Sequence, residues 1–294
     1  MFYEHQPVML KEVLYYLNPC PGESFIDGTL GGAGYTLALA ERVGTNGKIV
    51  SFDLDDLAIK HAQQIISSQN LNNIVLFQDN FKNLVSVLRD NFPDDKFDGL
   101  VLDLGLSSAQ LVDEERGFSF KGEHPLNMAF GSDSPQRTTE IINHYLVADL
   151  TRIFKDYGEE PQAARLAQAI DQARRVQPLN TTSELVKVIE QVIPGRQFSR
   201  IHPATRIFQA LRMETNGELN NLSDILNTVR EILKPNGRLV IVSFHSGEDR
   251  IVKQFLKGNS DWQILTKRPL VATANELNTN PRARSAKLRA AKLI

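Results

Sequence analysis

Along its first hundred residues the chain alternates short apolar runs with amphipathic stretches. Runs at 24–27, 48–53, 74–78 and 98–103 are rich in Val, Ile, Leu and Phe and predict buried strands. Between them, helical periodicity predicts helices at 34–43, 56–68 and 81–91. A further helix is predicted from Pro7 to Leu17, with proline in its first turn and Leu10, Val13, Leu14 and Leu17 on one face. Strand-helix alternation implies right-handed crossovers and a parallel sheet, an α/β fold. Ligands of such sheets sit outside the carboxyl ends of the strands. Asp27, Asp53, Asp79 and Asp103 all fall at or just beyond those ends, which defines one edge of a cleft.

After Asp103 the pattern changes. Residues 104–145 are rich in glycine and proline and predict loops. Helical stretches follow at Val147–Tyr157, Glu160–Val176, Ser183–Val192 and about Ala204–Glu214, with no strand evident among them. A helix from Asn220 to Leu233 ends at Lys234-Pro235-Asn236-Gly237, and a strand from Arg238 to Phe244 resumes the α/β pattern. Trp262–Thr266 reads as a strand, and Ser285–Ala290, with Ala286 and Leu288 alternating with charged neighbours, as an edge strand. The expected organisation is therefore an α/β core, residues 1–108 and 216–294, interrupted by a mostly helical domain, 109–215.

The glycine-rich turn Asp27-Gly28-Thr29-Leu30-Gly31-Gly32-Ala33-Gly34 joins the first strand to a helix, and Asp53 closes the next strand. Glycines admit close approach of a ligand, and an acid at that distance can accept hydrogen bonds from ribose hydroxyls. A dinucleotide fingerprint read from Gly32 would place Leu37 where a small residue is needed. A ribose-bearing ligand without a phosphate on the turn, such as S-adenosylmethionine, fits better than a nicotinamide dinucleotide; a tight turn with no ligand is the remaining alternative. Asp103, followed by Ser107 and Ser108, suits positioning of an exocyclic amine and acceptance of its hydrogen bond, unless it only caps a loop.

Other clusters leave alternatives open. Ser246 reads as the N-cap of a helix from Arg250 to Leu256, with Glu248 and Asp249 in the first turn. His245 beside it suits either a substrate contact or a structural hydrogen bond. No G-x-S-x-G supports a hydrolase, and Glu159 and Glu160 near His144 lack metal-ligand spacing, so no catalytic metal is expected.

The net charge of −2 gives no global signal for nucleic acid, so any RNA contact must be local. Arg200, His202, Arg206 and Arg212 on one helical segment, and Arg282, Arg284, Lys287, Arg289 and Lys292 between 281 and 294, are the candidates, against ordinary solvated surface. The single cysteine, Cys20, excludes an intrachain disulfide. With no apolar run of membrane-spanning length and no signal-peptide pattern at the start, a cytoplasmic location is expected.

These residues resemble the ribosomal RNA small subunit methyltransferase H family nearly end to end. The resemblance rests on His5-Gln6-Pro7-Val8, Asp27-Gly28-Thr29-Leu30-Gly31, Asp103-Leu104-Gly105 with Ser107-Ser108 and Gln110-Leu111, and Glu115-Arg116-Gly117-Phe118-Ser119-Phe120. It continues through Tyr157-Gly158-Glu159-Glu160, His202-Pro203-Ala204-Thr205-Arg206, Ser243-Phe244-His245-Ser246 and Asn280-Pro281-Arg282-Ala283-Arg284-Ser285-Ala286. It implies a Rossmann-like, S-adenosylmethionine-dependent methyltransferase core with an inserted helical substrate-recognition domain. It also implies methylation of cytidine N4 in the decoding region of 16S rRNA, the substrate being the small subunit or a late assembly intermediate. By resemblance the cofactor contacts are Ala33, Gly34, Tyr35, Asp53, Phe81, Asp103 and Gln110, and the catalytic residue is Asp103. Asn127, Arg206, His245, Arg282 and Arg284 are expected on the substrate side.

Three places depart from the family. It has Gly-Gly-His where this chain has Ala33-Gly34-Tyr35, Pro-Leu-Asp-Met-Arg-Met where it has Pro125-Leu126-Asn127-Met128-Ala129-Phe130, and Leu at Gly247. The second removes a carboxylate and a guanidinium together. A methyltransferase retargeted to another RNA or small molecule, and a non-catalytic RNA-binding assembly factor, are therefore the alternatives.

Overall fold

The computed structural model describes residues 7–106, 116–131, 137–193 and 202–294. The chain divides into two compact units, Met1–Ser107 with Leu219–Ile294, and Ser108–Glu218.

In the first unit the described strands are β1 (Ser24–Asp27), β2 (Lys48–Asp53), β3 (Ile74–Gln78), β4 (Phe97–Asp103), β5 (Leu233–Ser243), β6 (Trp262–Ile264) and β7 (Lys287–Leu293). They form one sheet in the order β3-β2-β1-β4-β5-β7-β6. The first five are parallel, and β7 runs antiparallel to both its neighbours. The strand order reverses between β1 and β4, so a crevice forms outside their carboxyl ends, where Asp27 and Asp103 lie.

Both faces of the sheet are covered, which is why its central strands read as unbroken apolar runs. On β4, Leu100 and Leu102 enter one core with Leu84 and Leu88, while Val101 enters the other with Val13, Leu17, Leu39 and Val43. Leu239 and Ile241 of β5 face the first core, Val240 and Val242 the second. The helices of the first hundred residues are α1 (Leu10–Leu17), α2 (Gly34–Val43), α3 (Asp56–Ser68) and α4 (Leu84–Asn91), the last preceded by a 3-10 turn at Phe81–Asn83.

The second unit contains α5 (Thr138–His144), α6 (Val147–Asp156), α7 (Ala163–Val176), α8 (Thr182–Val192) and α9 (Pro203–Asn216). Ile141, Leu150, Phe154, Leu166, Ile170, Leu185, Ile189, Ile207 and Leu211 are fully buried and make its core. The irregular segment 116–131 is tied to α9 by Asn216, whose Nδ2 donates to Met128 O (2.8 Å) and whose Oδ1 accepts from Phe130 N (2.9 Å). The remaining helices are α10 (Glu218–Thr228), which belongs to the first unit from Leu219 onward, α11 (Ser246–Gly258) and α12 (Ala274–Thr279).

The structure corrects the sequence reading in four places. The strand expected at the sheet edge is interior: β7 lies between β5 and β6. Leu288, Arg289, Ala290 and Ala291 are all buried, and the Arg289 charge that suggested solvent is neutralised by Asp249 (Nε to Oδ1, 2.7 Å). β5 begins at Leu233 rather than Arg238, because Phe97 pairs with Leu233 and Gly99 with Arg238, leaving 234–237 as a bulge. Helix α11 begins at Ser246, and its N-cap is His245, not Ser246: the Glu248 N–H donates to His245 Nδ1 (3.3 Å). Helix α5, seven residues long, lies inside the stretch expected to be loops; it is too short to show periodicity above its glycine-rich surroundings.

Candidate active site

The turn after β1 is held from below. Asp27, fully buried, accepts hydrogen bonds from Thr29 N (3.1 Å) and Thr36 Oγ1 (2.7 Å), and Thr36 also meets Ser51 Oγ (2.7 Å). Gly31 takes a positive φ of 49°, and a methyl group on Gly34 would lie 2.7 Å from the Pro7 ring. These two positions explain the glycines most directly: one by backbone conformation, the other by close approach of the N-terminal segment.

Ala33 occupies the left-handed region too (φ 65°, ψ 13°), as N-cap residue of α2. That conformation costs about 1–2 kcal/mol for a residue with a Cβ. The methyl is buried, 1% exposed, against Leu30, Ile59 and Ala62. Its burial returns about 0.8 kcal/mol, and alanine saves a further ~0.4–1 kcal/mol of unfolded-chain entropy over glycine. Ala33→Gly is therefore expected to change the unfolding free energy in urea by less than about 1 kcal/mol. A larger shift would show that the turn is strained beyond this local balance.

At the end of β2, Asp53 spans two elements. Its Oδ2 accepts from Gly31 N (2.8 Å) and its Oδ1 from Asp55 N (2.9 Å). Each carboxylate oxygen retains a lone-pair direction for a vicinal diol. Asp79, just past β3, is occupied locally by Asn80 N (2.6 Å) and Asn83 Nδ2 (2.8 Å). Phe81 follows on the 3-10 turn, half-buried against the first core. No Lys or Arg occurs from Asp27 to Thr36. The donor set thus fits a nucleoside with a free ribose and no phosphate on the turn, as in S-adenosylmethionine.

Asp103 ends β4 next to this turn. Thr29 Oγ1 accepts its backbone N–H (2.6 Å), and its Oδ1 accepts from Gly105 N (3.2 Å). Burial pushes its carboxyl up to about 7, helped by the charges of Asp27 and Glu248 and opposed by Gly105 N–H and the Tyr35 hydroxyl. Burial also lifts Asp27 and Asp53 to about 6, against the hydrogen bonds each accepts. Asp53 and Asp103 keep partial exposure, so solvent screens some of this penalty. A carboxylate balanced near neutrality is suited to accepting a proton.

Tyr35 points inward: its ring is 3% exposed and its hydroxyl donates to Val8 O. His245 caps α11 with Nδ1, so its proton belongs on Nε2. That nitrogen lies 3.0 Å from Glu248 Oε1 but off the line a hydrogen bond requires, and is buried without a partner. Glu248, 2% exposed, receives Phe244 N (2.7 Å) through Oε2. Arg282 is half-buried and its guanidinium is shifted downward by desolvation; Arg284 is exposed.

In the other unit, Asn127 uses its carbonyl to accept from Thr138 Oγ1 (2.7 Å), while Arg206 is exposed with Nη1 3.5 Å from Glu159 O. Arg212 is bound bidentately by Glu218 (2.7 Å twice) and is not available for phosphate. Gln110, with Ser107 and Ser108, lies outside the described residues, as does Arg200.

The structure thus brings Ala33, Gly34, Tyr35, Asp53 and Asp103 to one sheet edge within the first unit. Sequence reasoning missed two participants there. Thr29 was legible as part of the turn but not as the group bracing Asp103 N, and Glu248 as a first-turn acid but not as a buried charge facing Asp103.

The profile of the MraW methylase family matches residues 2–294. Among curated relatives, "Ribosomal RNA small subunit methyltransferase H" of Deinococcus deserti is 44% identical over 291 residues, covering 99% of this chain and 93% of the relative. The proteins of the same name from a Synechococcus strain (44% identical, 98% and 92% covered) and Heliobacterium modesticaldum (39%, 100% and 100%) are similar to it over the same extent.

Proposed function

Because the chain belongs to the MraW methylase family, we propose that it transfers a methyl group from S-adenosylmethionine to cytidine N4 of 16S rRNA in the decoding region of the small ribosomal subunit. The observation that carries the chemical part is Asp103: a carboxylate balanced near neutrality, beside a glycine turn without Lys or Arg and beside Asp53, whose carboxylate is held by Gly31 N and Asp55 N. The names of the relatives support small-subunit rRNA as the substrate.

When bound, S-adenosylmethionine supplies an electrophilic methyl group on a sulfonium. The chain's own part is to hold the ribose through Asp53, to lay adenine against Phe81, and to aim Asp103 at the amine. The cytidine amine has its lone pair delocalised into the ring. A hydrogen bond from the amine to Asp103 favours the localised lone pair, and Asp103 takes up the proton that the amine loses after forming the new C–N bond. Thr29, by holding Asp103 N, fixes the height of that carboxylate above the turn. No covalent adduct to the base is required, and Cys20 is exposed at the far end of β1 from Asp103. Ala33, Gly34, Tyr35 and Gln110 complete the cofactor set by resemblance. The helical unit, with Asn127 and Arg206, is assigned to rRNA recognition, together with His245, Arg282 and Arg284 of the core. The cytidine must leave its stack for its amine to be reached.

Nucleoside mass spectrometry of unmethylated small subunits incubated with the protein and S-adenosylmethionine is the direct test. N4-methylcytidine is the expected product. A different methylated nucleoside would point to the altered 125–130 segment and a retargeted enzyme, and no product with cofactor bound would leave a non-catalytic RNA-binding factor.

Among the described residues no helix is long and apolar enough to cross a membrane.

A further inference from the structure

We propose that Glu276 is a positioning residue for S-adenosylmethionine: by holding Met9 N it keeps Pro7, Val8 and Met9 strapped against the start of α2, where Ala33, Gly34 and Tyr35 are presented to the cofactor. The inference rests on the cofactor set of the proposed function and deepens it.

The strap is defined by four contacts, all within the first unit. A Cβ on Gly34 would stand 2.7 Å from Pro7 Cγ and 2.9 Å from Pro7 Cδ, so the proline ring lies directly on the first residue of α2. Val8 O accepts the hydroxyl of Tyr35, the second residue of that helix. Met9 O accepts from Val13 N (2.9 Å), which fastens the strap to α1. Met9 N donates to Glu276 Oε1 (2.6 Å) on α12, across 267 positions of sequence.

Met9 carries the strain of this arrangement. Its φ of 53° and ψ of 36° lie in the left-handed region, which its Cβ disfavours. A residue stays there only when its surroundings over-determine it, and such conformations gather at ligand clamps. The Met9 side chain is buried in the second core and its carbonyl is held by α1, which leaves the N–H to Glu276. Glu276 is itself anchored. Its N–H donates to Thr273 Oγ1 (3.2 Å), its carbonyl accepts from Asn280 N (2.6 Å), and Leu277 beside it packs on the same core.

Other ties of the turn come from the sheet: Asp27 and Ser51 hold Thr36, and Asp53 holds Gly31. Pro7 and Val8 are what reach Gly34 and the Tyr35 hydroxyl. Without the Glu276 bond, Met9 is free to relax to a negative φ, and that rotation swings Pro7 and Val8 off the helix.

Glu276→Ala deletes the acceptor, and Glu276→Gln keeps an oxygen in its place. In calorimetric titration the dissociation constant for S-adenosylmethionine is expected to rise about tenfold in Glu276→Ala, as for a turn competent in about one molecule in ten, and less than about threefold in Glu276→Gln. Amide hydrogen exchange of the unliganded protein should accelerate at Met9 and Val13 in Glu276→Ala, while β4 and β5 keep their protection. Single-turnover methyl transfer at saturating cofactor should stay within about twofold of wild type, because the strap acts on binding and not on Asp103. Pro7→Ala lifts the ring from Gly34 and leaves the Met9 bond intact; it should raise the dissociation constant at least about threefold and covers the case in which Glu276→Ala folds poorly.

An unchanged dissociation constant in Glu276→Ala, or wild-type exchange at Met9, would overturn the proposal, as would a Glu276→Gln protein as weak as Glu276→Ala. So would a loss of rate that saturating cofactor does not restore, the mark of a merely structural role. A wild type that binds S-adenosylmethionine but forms no N4-methylcytidine would instead overturn the proposed function and leave the binding and exchange comparisons intact.

Discussion

Asp103→Asn is expected to slow single-turnover methyl transfer by about 10²–10⁴-fold while stabilising the unliganded protein. The amide is nearly isosteric and still accepts from Gly105 N, but it cannot take a proton from the amine. The gain in stability follows from linkage. The native carboxyl titrates near 7 and the unfolded one near 3.8, so between those values the folded protein holds a proton that the unfolded chain has released. Stability conferred on this group below pH 4 is thus lost as pH rises toward 7, and the loss is complete above it. Because Asp103 keeps some exposure, the cost at pH 8 is taken as about 1–2 kcal/mol rather than the full shift. Urea unfolding of both proteins at pH 5 and pH 8 measures it: the variant's advantage should widen with pH. A variant that is equally active, or whose advantage shrinks with pH, would remove Asp103 from its assigned role.

The second large effect is expected at the cofactor. Asp53→Ala removes the carboxylate assigned to the ribose hydroxyls and leaves Gly31 N and Asp55 N without their partner. Charge-assisted hydrogen bonds contribute about 1.5–3 kcal/mol each, so the dissociation constant for S-adenosylmethionine should rise by at least about 10²-fold. Calorimetric titration reads this directly. A Kd within fivefold of wild type would mean that the ribose is bound elsewhere and that Asp53 only fastens the turn.

The core strands were legible in the sequence because a parallel strand covered on both faces is mostly apolar along its length, and a polar residue closes it at the carboxyl end. That residue is an aspartate at β1, β2 and β4. The acids of the site could be found this way, since their positions follow from where strands stop. Their partners could not. Thr29 meets Asp103 across 74 positions of sequence, and Tyr35 meets Val8 across 27. No local pattern carries such information. The same limit explains β7, whose basic residues looked solvated until Asp249, 40 positions away, was found to neutralise Arg289. His245 was ambiguous between capping and substrate contact because one imidazole has two nitrogens. One caps the helix, and the other is buried without a hydrogen-bond partner.

The pairing of β4 with β5 carries a further consequence, for the order in which the molecule is made. These strands are neighbours at the centre of the sheet, yet residues 104–232 separate them in the chain. Closing so long a loop costs only about 2 kcal/mol more than closing a dozen-residue crossover, so the finished sheet hardly registers the interruption. The search for the partner strand is another matter, since distant pairings form slowly. Until β5 arrives, β4 has an open side, and Asp103 ends a strand not yet fixed. A nascent chain can already own the nucleoside turn of β1 and β2 while its reactive carboxylate is still unplaced, so cofactor recognition would mature before chemistry does.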